Sequence, residues 1–141
     1  MRLQLITLRG VKLDEDIYEL MLPTAAGEIA IFPGHEPLVG VAIPGVASVR
    51  RNKGDNDEKL EVFAITNGVL EVLDDTIRLL VDEADQGEDI IEAESKAALE
   101  RAEKRKVESK DQVEIAKAEQ IIMQERARLH VADIRRRRRR Q

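Results

Sequence analysis

Three groups of side chains in this sequence have residue types and spacing suited to chemistry. His35 stands beside Glu36 in the stretch Pro33-Gly34-His35-Glu36-Pro37-Leu38, and an imidazole next to a carboxylate is the beginning of a general base. A base also needs a nucleophile or a substrate pocket, and neither a serine nor the other histidine, His130, stands at a recognisable spacing. The bracketing prolines favour a rigid loop carrying a surface or hydrogen-bonded histidine. Carboxylates cluster in Asp14-Glu15-Asp16, Asp55-Asn56-Asp57-Glu58 and Asp82-Glu83-Ala84-Asp85. None has the EF-hand spacing with its central glycine and distal glutamate, so they read as solvated turns. The third group is Arg135, Arg136, Arg137, Arg138, Arg139 and Arg140, preceded by Arg126 and Arg128. Guanidinium groups pair bidentately with carboxylates and phosphates, which fits nucleic acid, an anionic membrane or an acidic protein surface.

Composition narrows these readings. The 141 residues suffice for one domain, or for a small domain with an appendage. Cysteine is absent, which removes disulfides, thiolate zinc sites and a cysteine nucleophile together. Aromatics make up 2% of the chain, too few for a platform on which single-stranded bases stack. No phosphate-binding loop, dinucleotide fingerprint or nucleophile elbow occurs, so no catalytic residue, metal or cofactor is expected. No apolar run approaches the ~18 residues of a membrane span, and the start Met1-Arg2-Leu3-Gln4-Leu5 lacks a signal-peptide core, so a cytosolic protein is expected.

The elements that must carry these groups differ between the two ends of the chain. Residues 3–82 alternate in short segments such as Leu60-Glu61-Val62-Phe63-Ala64-Ile65, broken by turn residues at Ala26-Gly27, Pro33-Gly34, Pro44-Gly45, 52–57, Asn67-Gly68 and Asp74-Asp75. That is the pattern of a small sandwich or barrel. All eight glycines and all four prolines lie before residue 88, and the remainder, rich in Ala, Glu, Lys, Arg and Ile, reads as helix. Ser109-Lys110-Asp111-Gln112 fits a capping box, which predicts an N-cap at Ser109 and two helices. Ala93, Ala97, Ala98 and Ala102 on the first helix and Ile115, Ala118, Ile122 and Leu129 on the second supply an alanine-rich seam. Each alanine buries little area, so the hairpin is expected to be detachable, although a rigid hairpin or plain coiled coil fits the same periodicity. The expected fold is α+β: an antiparallel β-sandwich over residues 1–86 and a two-helix antiparallel hairpin over 87–141. Charge divides likewise, with 16 acids and 8 bases in 1–87 and 12 acids and 15 bases in 88–141, or −8 and +3.

Several segments match a known family. The block Gly27-Glu28-x-x-x-x-Pro33-Gly34-His35-x-Pro37-Leu38, followed by Ile43-Pro44-Gly45-Val46, 63–72 and 79–84, resembles the epsilon subunit of bacterial and chloroplast F-type ATP synthases, called delta in mitochondria. The resemblance extends over nearly the whole chain, helix pair included. It implies a non-catalytic rotor subunit at the foot of the central stalk, bound to the gamma subunit and the c-ring, while catalysis stays in the beta subunits. Glu28 matches the position facing the polar loop of the c subunits, and the loop of Pro33, Gly34 and His35 is expected at the same end. The resemblance also implies a regulatory role, in which the helices leave the sandwich and enter the alpha/beta hexamer to inhibit ATP hydrolysis. Arg126, Arg128 and residues 135–140 would then pair with an acidic segment of the beta subunits. The implied location is peripheral, on the cytoplasmic face of a bacterial plasma membrane or on a thylakoid membrane, held there only through the complex.

The chain departs from the family in one informative place. Relatives that bind ATP open the first helix with Ile/Leu-Asp-x-x-Arg-Ala, where this chain has Ile90-Ile91-Glu92-Ala93-Glu94-Ser95. Ile91, Glu94 and Ser95 replace the aspartate, arginine and alanine. An anion in place of a cation beside a polyphosphate costs roughly a kcal/mol or more, so no nucleotide site is expected. Asn67-Gly68-Val69, where relatives carry two glycines, is a milder change because asparagine tolerates a left-handed backbone. The competing reading, a β-sandwich module with a basic tail that binds nucleic acid, is opposed by the −8 charge of the first part.

Overall fold

The computed structural model describes residues 1–140; Gln141, the last residue assigned to the hairpin, lies outside the described residues. The strands are β1 (Arg2–Thr7), β2 (Gly10–Asp16), β3 (Glu19–Thr24), β4 (Gly27–Ile31), β5 (Leu38–Ala42), β6 (Gly45–Arg50), β7 (Glu61–Ile65), β8 (Gly68–Leu73), β9 (Thr76–Val81) and β10 (Ala84–Asp85). They form two layers, β4-β3-β6-β7-β10 and β5-β8-β9-β1-β2, joined by the single register pair Thr24 to Ala42. Alternate residues point inward, so Leu3, Leu5, Leu20, Leu22, Ile31, Phe63, Ile65, Leu70, Ile77 and Leu79 make one apolar core between the layers. All pairings are antiparallel except β1 with β9, which is parallel.

Turn chemistry accounts for the connections. Asp74 and Asp75, at φ 49 and 60, form the two-residue hairpin turn between β8 and β9. Two other hairpins share a Thr-x-x-Gly device. The hydroxyls of Thr7 and Thr24 accept from the amides of Arg9 and Ala26 and donate to the carbonyls of Gly10 and Gly27. Both glycines sit at positive φ, which a side chain would resist. Asn67 does not use a left-handed conformation; the constraint falls on Gly68, where a Cβ would collide with the Leu80 carbonyl oxygen.

The carboxylate cluster Asp14-Glu15-Asp16 lies in edge strand β2 rather than in a turn. Asp14 accepts from Arg2 Nε at 2.6 Å, which holds its carboxyl below the usual range, and Glu15 pairs with Arg51.

The helices are α1 (Glu92–Glu108) and α2 (Gln112–Arg139). The N-cap of α2 is Asp111, whose side chain accepts from the Val113 amide at 3.0 Å, not Ser109. Ser109 instead closes α1, and its hydroxyl accepts from the Asp111 amide at 3.2 Å. A carboxylate two residues later takes the cap because it also complements the helix dipole. The pairs Lys106–Glu119, Arg126–Glu103 and Arg136–Glu92 fix an antiparallel hairpin. Its seam departs from the alanine pattern: Ala93 and Ala97 are exposed, while Ser95, Ala102, Ala118 and Ile122 are buried. No described helix is long and apolar enough to cross a membrane.

Candidate functional site

The two outer faces of the sandwich have different fates. α2 covers the outer face of β6 and β7, where Ala127 and Val131 bury Ala64 among Val46, Val62 and Ile90. The opposite layer carries an exposed row in register, Val41 beside Val69, Val69 beside Leu80, Leu80 beside Ile6 and Ile6 beside Val11. Directly paired residues share a face, so these side chains form one apolar ridge across β5, β8, β9, β1 and β2. Val41 is 56%, Val69 51% and Val11 64% exposed, and Val39 on β5 adds a further apolar side chain. Sequence reasoning missed this ridge. Its signal was present in β5, whose outward residues Val39 and Val41 are both apolar, and in the outward Val69 and Leu80 of β8 and β9, which alternate there with Glu71 and Arg78.

The residues singled out from the sequence are distributed around this frame. Glu28 is exposed near the start of β4, whereas Pro33, Gly34 and His35 lie beyond the other end of that strand. They therefore do not share one end of the sandwich, since a five-residue strand spans about 16 Å. The Gly34 amide donates to Asp75 Oδ1 at 3.0 Å, pinning the loop to the β8–β9 turn. Gly34 has φ +83, and His35 Nδ1 lies 2.7 Å from the Glu36 carbonyl oxygen. His35 is exposed, and the loop leads into β5 at the margin of the ridge.

The arginines do not form one patch. Arg128 lies between α2 and the sandwich, where Nε donates to Asp85 at 3.1 Å, Nη1 to Glu125 at 2.7 Å and Nη2 to Glu83. Burial disfavours its charge, but Glu125, Glu83 and Asp85 outweigh that and raise its pKa above the ordinary value. Arg126 faces Glu103 across the hairpin, Arg136 reaches Glu92 and Asp133, and Arg137 reaches Asp133. Arg138 donates to the carbonyls of Leu60 and Asp57 at 2.6 and 3.2 Å, and the Arg135 stem lies over Gly87. Arg139 and Arg140 are exposed. Asn67 Nδ2 adds a hydrogen bond to Gln120 Oε1 at 3.0 Å.

Ile91, Glu94 and Ser95 open α1 beside a cavity between the hairpin and the sandwich. Lys12 Nζ lies 2.8 Å from Asp89 Oδ2 at its edge and lowers the Asp89 pKa. Among the described residues no group of three or more His, Cys, Asp or Glu side chains comes together in a form that would hold a metal ion.

A β-sandwich with one face under a helical hairpin and the other presenting an apolar ridge has the build of a docking subunit. The family model described as "ATP synthase, Delta/Epsilon chain, beta-sandwich domain" matches residues 1–87. The ATP synthase epsilon chain of Solibacter usitatus is 35% identical over 84% of this chain and 85% of its own length. That of Herpetosiphon aurantiacus is 30% identical over 97% of both. A chain in the OSCP/F1/c-ring structure of the Euglena gracilis mitochondrial ATP synthase superposes with TM-score 0.76 at 25% identity, over 92% of this chain and 79% of that one. The chain belongs to the ATP synthase delta/epsilon family.

Proposed function

We propose that this protein is the central-stalk epsilon subunit of an F-type ATP synthase, non-catalytic itself, which joins the gamma subunit to the c-ring as one rotating body. The observation that carries this reading is the apolar ridge on the sheet face that the hairpin leaves open. Monomeric proteins rarely expose a contiguous apolar surface of this kind without a partner. The ridge and the adjoining loop of Pro33, Gly34 and His35 take the gamma subunit. Glu28, at the far end of β4, takes the polar loops of the c-ring. A densely packed sandwich transmits torque between the two without deforming. The protein is peripheral, on the cytoplasmic face of a bacterial plasma membrane or on a thylakoid membrane, and reaches the membrane only through the complex.

Residues 87–141 form a regulatory arm. Its apolar attachment to the sandwich rests on small side chains, Ala64, Ala127 and Val131, and its polar attachment on the Arg128 cluster and on hydrogen bonds of Arg138 and Gln120, contacts whose small apolar area favours release over permanent docking. Once released, the arm presents Arg126, Arg128 and residues 135–140 to the alpha/beta hexamer and slows ATP hydrolysis.

Two measurements test these parts separately. Val41→Asp combined with Leu80→Asp, outward substitutions that spare the core, should abolish co-purification with gamma while the circular dichroism spectrum is kept. Unchanged co-purification would refute the assignment of the ridge. Truncation after Asp111 should raise ATP hydrolysis by the assembled soluble complex; an unchanged rate would leave a coupling subunit whose hairpin is no brake.

A further inference from the structure

The last turns of α2 are fastened to the sandwich at a place separate from Arg128. Arg138 stands about 15 Å further along the helix, at 1.5 Å per residue. Its guanidinium donates through Nη1 to the Leu60 carbonyl at 2.6 Å and through Nη2 to the Asp57 carbonyl at 3.2 Å. Both acceptors belong to the connection between β6 and β7, residues 51–60, and flank its single 3-10 turn, Asp57–Lys59. Within that connection only Leu60 is buried, so apolar packing does not account for its holding one shape.

Arg50 accounts for it instead. This residue ends β6, and its three guanidinium nitrogens go to three places. Nε donates to the buried Glu19 of β3 at 3.2 Å, Nη1 to the Asp55 carbonyl at 2.6 Å and Nη2 to the Asp57 carboxylate at 2.8 Å. The Asp55 carboxylate accepts in turn from the amide and the side chain of Asn52, both at 3.2 Å. Asp57 thus accepts from two arginines at once, its carboxylate from Arg50 on the sandwich and its carbonyl from Arg138 on the hairpin. Among the described residues the Arg50 side chain bonds only within the sandwich, so its effect on α2 passes through this connection. The seat it shapes suits a guanidinium, whose rigid fork meets two carbonyls together.

We propose that the β6–β7 connection is a latch for the arm: Arg50 shapes the seat, Arg138 occupies it, and order in the connection and docking of the last turns of α2 rise and fall together. The coupling is reciprocal. A disturbance at Glu19 or Arg50 therefore loosens the end of the helix without touching it, and release of the helix loosens the connection. The consequence for ATP hydrolysis rests on the regulatory reading above; the coupling itself does not.

The test is amide hydrogen exchange of the isolated full-length chain, read by mass spectrometry, in Arg50→Lys, Arg138→Lys and the double variant. Lysine keeps each charge and loses the fork. Arg138→Lys should raise exchange about tenfold or more over residues 52–60 as well as 132–138, the worth of a hydrogen bond to a charged group. Arg50→Lys should raise it over the same two segments, and the double variant should exceed either single one by little, because each has already opened the latch. Amides of β8 and β9 should stay protected throughout. A rise confined to 52–60 in Arg50→Lys, or separate effects that multiply in the double variant, would overturn the proposal. If Arg50→Lys also exposes β8 and β9, Asp57→Ala decides, since that side chain is 86% exposed and its loss removes one Arg50 link without entering the core. Wild-type protection of 132–138 in Asp57→Ala would overturn the proposal as well. Exchange is read on the isolated chain and the brake on the assembled complex, so failure of one is distinguishable from failure of the other.

Discussion

Arg128 Nε lies 3.1 Å from Asp85 Oδ2, a contact between residues 43 positions apart that ties the long helix to the last strand of the sandwich. The guanidinium completes its fork with Glu125 on its own helix and Glu83 before β10, so one side chain spans the junction. Arg128→Gln would leave Glu125 buried without a cation, at a cost of about 3 kcal/mol in docking. Hydrogen exchange of amides in α2 should rise in this variant while amides of β8 and β9 stay protected. Equal protection in both regions would show that Arg128 does not hold the hairpin.

Gly68 begins β8 where a Cβ would meet the Leu80 carbonyl oxygen and the Val81 side chain. Backbone cannot yield as a flexible side chain does, so Gly68→Ala should cost about 3 kcal/mol or more. Urea unfolding would register this as a lower midpoint with an unchanged slope. Gly54→Ala, with nothing near its Cβ, serves as the control and should shift the midpoint little.

Acid should weaken the linker between sandwich and hairpin. Lys12 holds the Asp89 carboxyl below its ordinary pKa, so this contribution is present above the ordinary carboxylate value and is lost as pH falls through the depressed one. Urea midpoints measured from neutral to acid pH should fall further in the wild type than in Asp89→Asn, and the two curves should converge at the acid end. Parallel curves would rule out the Lys12–Asp89 pair as a source of acid sensitivity.

ATP should not bind the isolated chain. Glu94 and Ile91 stand at the cavity where ATP-binding relatives carry an arginine and an aspartate, and the net negative lining repels a triphosphate. Calorimetry at millimolar nucleotide should register only heats of dilution; a saturable isotherm would contradict this reading.

Much of the architecture was legible in the sequence because turns and breakers are local. Asp74-Asp75 and Pro33-Gly34 mark the strand ends where the structure has them, and the loss of glycine and proline after residue 87 marks the change to helix. The Thr7-x-x-Gly10 turn could have been read as well, since it repeats the device at Thr24-x-x-Gly27. The hairpin seam was harder, because alanine fits a buried or an exposed face equally and so leaves the helix phase undetermined. Ser95 and Glu125, polar residues that a periodicity count assigns to solvent, are buried there. The partners that the arginine run finds in the docked hairpin were not legible, for a geometric reason. Successive helical residues are rotated by about 100°, so neighbours in sequence face different partners. Arg135 lies on Gly87, Arg136 meets Glu92, and Arg138 caps the carbonyl of Leu60. Which sheet face α2 covers is a long-range fact that no local pattern carries.

The parallel pairing of β1 with β9 has a bearing on how the chain is made. Leu3 and Leu5, fully buried core residues, lie beside Ile77 and Leu79. Since β1 leaves the ribosome long before β9, it has one edge without a partner until residues 76–81 have followed it out. Its hairpin with β2 can close early, but the hydrophobic interior cannot be sealed before that late segment arrives. Closing so long a loop is slow and leaves aliphatic surface open in the meantime. A nascent chain halted short of residue 76 should thus be a substrate for chaperones, and one extended past residue 81 should not.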